Sequence, residues 1–137
     1  MMYIDTNIFV YAIENHPKYG AACKKILEGV ENKKIDAACS TLTLAELVNV
    51  LVKIKKVVGD KLNVKESISA VLSLPINWID MSIFIIENAA SYKYNISGAD
   101  YIHIASMEIN SISKIISADG DFDKVDNVKR IDPLDYK

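Results

Sequence analysis

Soft metal ligands are scarce in this chain, which has two cysteines and two histidines in 137 residues. Cys23 and Cys39 form no Cys-x-x-Cys pair and stand at no metal-ligand spacing from His16 or His103. A zinc ribbon or finger is thereby excluded, and the two thiols read as reduced and buried. Glycine and proline are also few, at five and three, too few for a linker, a low-complexity segment or a disordered tail. No charge of one sign dominates: sixteen Lys and Arg stand against eighteen Asp and Glu, a net charge of −2. Bulk electrostatics therefore do not make it a generic binder of phosphate backbones, and any nucleic-acid chemistry has to be local. Long apolar runs are missing as well. The opening "MMYIDTNIFVYAIE" has no basic start and is broken by Asp5 and Asn7, so it reads as neither a signal peptide nor a membrane span, and a cytoplasmic protein is expected.

What the chain does have is apolar mass. Half of its residues are hydrophobic, enough to bury a core within one domain over residues 1–137. Met2 to Ile4 reads as a short strand, and the apolar spacing turns helical from Ile8 to Glu14, where Asn15, His16 and Pro17 break it. A second amphipathic helix runs from about Tyr19 to Glu31, and Ile35 to Cys39 reads as a strand. Leu44, Leu47, Val48, Leu51, Ile54 and Val58 recur at three and four residues until Gly59 stops the helix. Val64 to Leu74 is a further helix ended by Pro75, "NWID" a strand, and Ser82 caps a helix to about Tyr94. After the loop "YNISGAD" comes a helix over Ala99 to Asn110, with Ile102, Ala105, Ser106 and Ile109 inward. "KIISAD" is a strand, and "VKRID" a last, short edge strand. Strands alternating with helices predict a three-layer α/β/α sandwich around a short, mostly parallel sheet.

In such sheets, ligands bind beyond the carboxyl ends of the strands. Asp5, Glu46, Asp100 and Asp119 all fall at predicted strand exits or in first helical turns. Each alone has an ordinary explanation. Asp5 is placed as a helix cap, Thr43 to Glu46 matches a capping box, Asp100 follows Ser97 in the same way, and Asp119 sits in a turn. Together they are four carboxylates gathered at one sheet edge, which repel unless a cation sits among them. Oxygen ligands without His or Cys point to Mg²⁺ or Mn²⁺, and phosphoryl transfer uses such sites to activate water.

"YIDTNIFVYAI", "STLTLAELVNVL", "ISGADYIHIASM" and "IISADGDFDKV" resemble, in order and separation, the four acidic motifs of the PIN-domain nucleases, nearest to the compact form of the VapC toxins. The resemblance implies an endoribonuclease using Mg²⁺ or Mn²⁺, in which Asp5, Glu46, Asp100 and Asp119 bind metal and carry catalysis. Thr6 and Asn7 would orient Asp5 or its water, and Asp121 and Asp123 would be supporting acids. It also implies an RNA substrate, an antitoxin protein that blocks the pocket, and a homodimer. Gly120 departs from the larger, often basic residue common there, and Gly98 loosens the loop before Asp100. A housekeeping RNA-processing nuclease, or a catalytically silent RNA-binding or assembly module of the same fold, would share the motifs.

"DGDFD" also matches the first three ligand positions of a calcium loop, but Lys124 stands where glycine is required and Arg130 where glutamate is required. His103, one turn after Asp100, is expected to be a hydrogen-bonded residue at the core edge, with a general base within reach of the pocket as the alternative. Lys53, Lys55, Lys56, Lys61 and Lys65 form a basic run expected on a solvated face.

Overall fold

A computed structural model describes residues Met1–Lys137. Five strands, β1 (Met2–Ile4), β2 (Ala37–Ser40), β3 (Ile76–Ile79), β4 (Lys114–Ile116) and β5 (Lys129–Ile131), form one sheet in the order β3-β2-β1-β4-β5. All four pairings are parallel, and "VKRID" supplies an edge strand as expected. The helices are α1 (Thr6–Ile13), α2 (Gly20–Glu31), α3 (Thr41–Val58), α4 (Val64–Leu72), α5 (Ile83–Ala89) and α6 (Gly98–Ile109).

Side chains alternate across the strands and so divide the core in two. Ile4, Ala37, Cys39 and Ile116 face one side, where they pack with Ile8 and Phe9 of α1, Cys23 and Ile26 of α2, Leu47 and Leu51 of α3 and Val71 of α4. Tyr3, Ala38 and Ile115 face the other, against Ile104 and Met107 of α6. Beside them Ile85 and Ala89 of α5 meet Ala105 of α6. The result is the three-layer α/β/α sandwich that the alternation of elements predicts.

Strand order places the site. The chain leaves β1 along one face through α1 and α2 to β2, and returns from β3 along the other face through α5 and α6 to β4. β1 and β4 are neighbours whose following segments diverge, and a crevice opens outside their carboxyl ends.

Four local expectations are corrected. Ser40 ends β2 and caps α3 at once, its side chain accepting from the Leu42 N–H at 3.0 Å. Thr43 and Glu46 therefore do not form the capping box, and Glu46 stands in the second turn of α3. α5 stops at Ala89, short of Tyr94, because Tyr92 turns to pack against Tyr94 and Tyr101. Ile109, expected inward, lies at the end of α6 and is exposed. Gly98 is a helical residue behind the Ser97 cap, whose hydroxyl accepts from the Asp100 N–H, so the loop before Asp100 is closed rather than loose. No helix is long and apolar enough to cross a membrane.

Candidate metal centre

Asp5 follows β1 and is nearly sealed from solvent, 7 % exposed. Its extended backbone makes it the N-cap of α1, with Oδ1 accepting from the Thr6 N–H at 2.7 Å. Oδ2 accepts from Ser117 Oγ at 2.6 Å and from Asn7 Nδ2 at 3.2 Å. The helix cap expected at this position is thus present. Burial pushes the Asp5 pKa up, and the nearby Glu46 adds to it against the pull of His103, Ser117 and Thr6, leaving it raised.

Asp100 lies in the first turn of α6, beside the turn after β4. Burial, with the charges of Asp119 and Asp5 behind it, outweighs the Ser97 hydroxyl and lifts Asp100 to about 6 from the ordinary 3.8. Asp119 caps a 3-10 turn, Gly120–Lys124, by accepting from the Asp121 N–H at 2.9 Å. Asp100, Asp119 and Asp121 each offer a carboxylate oxygen within 4.8 Å of the others'.

Glu46 meets the crevice from α3. Its Oε1 accepts from Thr6 Oγ1 at 2.9 Å and meets His103 Nε2 at 2.6 Å. Burial raises the Glu46 pKa, but His103 and Thr6 more than reverse this and leave it lowered. His103 is buried deeper than a core edge, 1 % exposed. Burial disfavours its charged form, whereas Glu46, Asp5 and Asp100 favour it, and the balance raises its pKa.

The fold thus brings Asp100, Asp119 and Asp121 into one close group, to which Asp5 is joined through Ser117. Thr6 joins Glu46 to the segment after β1, and Asn7 holds Asp5. Asp5 and Glu46 are not themselves in that close group. Asp123 stands apart from it. Both of its carboxylate oxygens are held at 3.0 Å by the Arg130 guanidinium, which keeps its pKa low, so it anchors the turn to β5. The lysine run lies elsewhere, with Lys55 donating to the Gly59 and Leu62 carbonyls beyond the end of α3.

Ser117 is the residue that sequence reasoning missed. Wholly buried, it joins Asp5 to the Asp119 N–H, which donates to Ser117 Oγ at 2.9 Å. Its signal was present: it follows β4 as Asp5 follows β1, on adjacent parallel strands.

A cluster of carboxylates with no thiolate or free imidazole suits a hard divalent cation with oxygen ligands, not zinc. The raised Asp5 and Asp100 agree, since burial and neighbouring acids disfavour their charged forms and a nearby cation would favour them.

Comparison with known proteins decides the family. The PIN-domain model matches residues 2–128. The chain belongs to the PIN-domain family. Among solved structures, this PIN protein is similar to VapBC2 from Rickettsia felis, solved bound to a DNA fragment from its promoter, at 22% identity and TM-score 0.72, covering 96% of this chain and 98% of that one. It is also similar to a toxin-antitoxin complex from Klebsiella pneumoniae, at 21% identity and TM-score 0.65, covering 97% and 98%. A third similar structure is VapC20 of Mycobacterium tuberculosis, described as a toxin cleaving the sarcin-ricin loop, at 17% identity and TM-score 0.70, covering 90% and 93%. At these identities the likeness is one of fold. A comparison with curated protein sequences finds no match.

Proposed function

We propose that this PIN domain is an endoribonuclease dependent on Mg²⁺ or Mn²⁺, and the toxin component of a toxin-antitoxin pair. The observation that carries the reading is the convergence of Asp100, Asp119 and Asp121 beside the buried Asp5, at the one sheet edge where adjacent strands part. In this reading Asp5, Glu46, Asp100 and Asp119 hold the ion, with Asp121 supporting them. Bound there, a divalent cation supplies a nucleophilic water at neutral pH and neutralises charge developing on the phosphodiester oxygens.

The protein's own contribution is arrangement. The Thr6 N–H holds Oδ1 of Asp5 and the Ser117 hydroxyl holds Oδ2, and Asn7 bonds to both Asp5 and Ser117. A carboxylate of the set would accept a proton from the water as its oxygen bonds to phosphorus, and the departing oxygen would take a proton from solvent as its own P–O bond breaks. The crowded acids repel RNA phosphates in the absence of cation, so the metal has to be in place for the substrate to bind.

An antitoxin and a homodimer belong to the same reading. They are supported by the toxin-antitoxin structures that share the fold and by exposed apolar side chains on α3 and α5, among them Val48, Val52, Ile83 and Phe84.

The test is cleavage of structured and unstructured RNAs with Mg²⁺, with Mn²⁺ and with chelator. Asp5→Asn and Asp100→Asn are expected to lower the rate at least about a hundredfold while circular dichroism is unchanged, since each removes charge that binds the ion. Induced expression in bacteria is expected to arrest growth with the wild type and not with Asp5→Asn. Cleavage indifferent to chelator overturns the metal-dependent reading, and cleavage without growth arrest overturns the toxin reading.

A further inference from the structure

Tyr3 and His103 are sealed in the core, at 0 % and 1 % exposure, and neither belongs to the acid set. They form a continuous chain of hydrogen bonds that ends on one of its members. The Ser40 N–H donates to the Tyr3 hydroxyl oxygen at 3.1 Å. That hydroxyl lies 2.5 Å from His103 Nδ1, and His103 Nε2 lies 2.6 Å from Glu46 Oε1. An amide N–H only donates and a carboxylate only accepts, so with a neutral ring every group is satisfied in one direction. Tyr3 donates to Nδ1, and Nε2–H donates to Glu46.

The consequence falls on Glu46. Oε1 has two donors, the His103 ring on α6 and the Thr6 hydroxyl on α1 at 2.9 Å, whereas Oε2 has none within the protein. A glutamate side chain otherwise keeps several rotamers, and ordering it at the moment of ion binding would weaken that binding. The chain also starts on the residue that caps α3 and returns to the same helix at Glu46, so the orientation is referred to the helix that carries the glutamate.

Stability alone does not account for the arrangement. A buried polar chain is worth little net compared with apolar residues of similar shape, and Tyr3 already lies in an apolar cluster with Ile104, Met107 and Ile115. What the polar chain achieves that an apolar filling would not is a fixed carboxylate.

We propose that His103, backed by Tyr3, is a positioning residue that fixes Glu46 as a one-oxygen donor, with Oε1 committed to the protein and Oε2 presented to the divalent cation or its water. This rests on the metal-dependent reading above.

The test is Mn²⁺ binding by the full chain, without RNA, followed by calorimetry and by the electron paramagnetic resonance of free Mn²⁺. His103→Leu is expected to weaken binding about tenfold, as for the loss of other partners that orient a ligand. His103→Gln, whose amide can donate in place of Nε2–H, is expected to recover affinity to within about threefold. Tyr3→Phe, which keeps the ring, is expected to weaken binding by about threefold to fivefold. The deciding measurement is a double-mutant cycle with Glu46→Gln. If His103 acts through Glu46, then His103→Leu and Tyr3→Phe have no further effect in the Glu46→Gln background. A folded His103→Leu that binds as the wild type does, or an effect that persists undiminished without Glu46, overturns the proposal. Should His103→Leu not fold, the cycle between Tyr3→Phe and Glu46→Gln reads the same coupling. A wild-type protein that binds no Mn²⁺ removes the metal-dependent reading and this proposal with it. Wild-type binding alongside unaltered variants removes the positioning role alone.

Discussion

Ser117 Oγ donates to Asp5 Oδ2 at 2.6 Å across 112 residues of sequence, and this bond ties the carboxyl end of β4 to that of β1. The same hydroxyl oxygen accepts from the Asp119 N–H, so one buried side chain sets the relation between two acids of the centre. Ser117→Ala is expected to lower stability by about 1–3 kcal/mol, because the Asp5 carboxylate and the Asp119 N–H both lose a buried partner. Asp5 should also become harder to ionise, since a donor to its charged form is gone. Denaturant unfolding at pH 7 measures the first effect. A titration of Mn²⁺ binding against pH measures the second, its midpoint moving upward in the variant.

Asp100 makes the metal-free protein sensitive to pH. The folded residue keeps its proton up to about pH 6, whereas the unfolded one releases it near the ordinary 3.8. Between those values the folded state binds more protons, so the stability that Asp100 contributes is present below about pH 4 and is lost as pH rises through about 6. Asp100→Asn cannot ionise. Negative charge in a first helical turn is normally favourable, but the raised pKa shows burial and the neighbouring acids prevailing. The variant is therefore expected to match the wild type near pH 4 and to exceed it at pH 7 by on the order of 1 kcal/mol, after allowance for solvent screening. Melts in chelator across pH 4 to 7 check this, and saturating Mg²⁺ should reverse the ranking at pH 7 by stabilising the wild type alone.

Much of this was legible in residue patterns, for physical reasons. A strand of only three residues such as β1 is visible because Met2, Tyr3 and Ile4 are all apolar, as a central strand covered on both faces requires, and Asp5 follows at once. The acids of the centre are visible because parallel topology fixes where strand ends go, whatever their distance in sequence. Hydrogen bonds between distant residues are not visible that way. Ser117 to Asp5, Tyr3 to His103 and His103 to Glu46 are products of packing, and no local pattern encodes them. The end of α5 was hidden for the same reason, since its apolar spacing runs on into tyrosines that pack elsewhere. The start of α3 was misread because a strand passes into the helix with no loop, so that Ser40 takes the cap that Thr43 had the sequence context to occupy.

That displaced Thr43 yields the last prediction. It is fully buried in the first turn of α3, and its Oγ1 has no hydrogen-bond partner. A hydroxyl in that situation gives up its bonds to water on folding and regains none. Thr43→Val replaces it with a methyl group of nearly the same shape, and the two residues have similar helix propensities. The variant is expected to gain about 1 kcal/mol, a rise in Tm of roughly 2–5 °C for a domain of this size. Thr43→Ser keeps the hydroxyl and removes the methyl, so it should lose about 1 kcal/mol. RNA cleavage should be unchanged in both, because no hydrogen bond of Glu46, Asp5 or Ser117 passes through Thr43. Loss of stability in Thr43→Val would show instead that the hydroxyl binds a buried water, and that α3 is held at its first turn by more than the Ser40 cap.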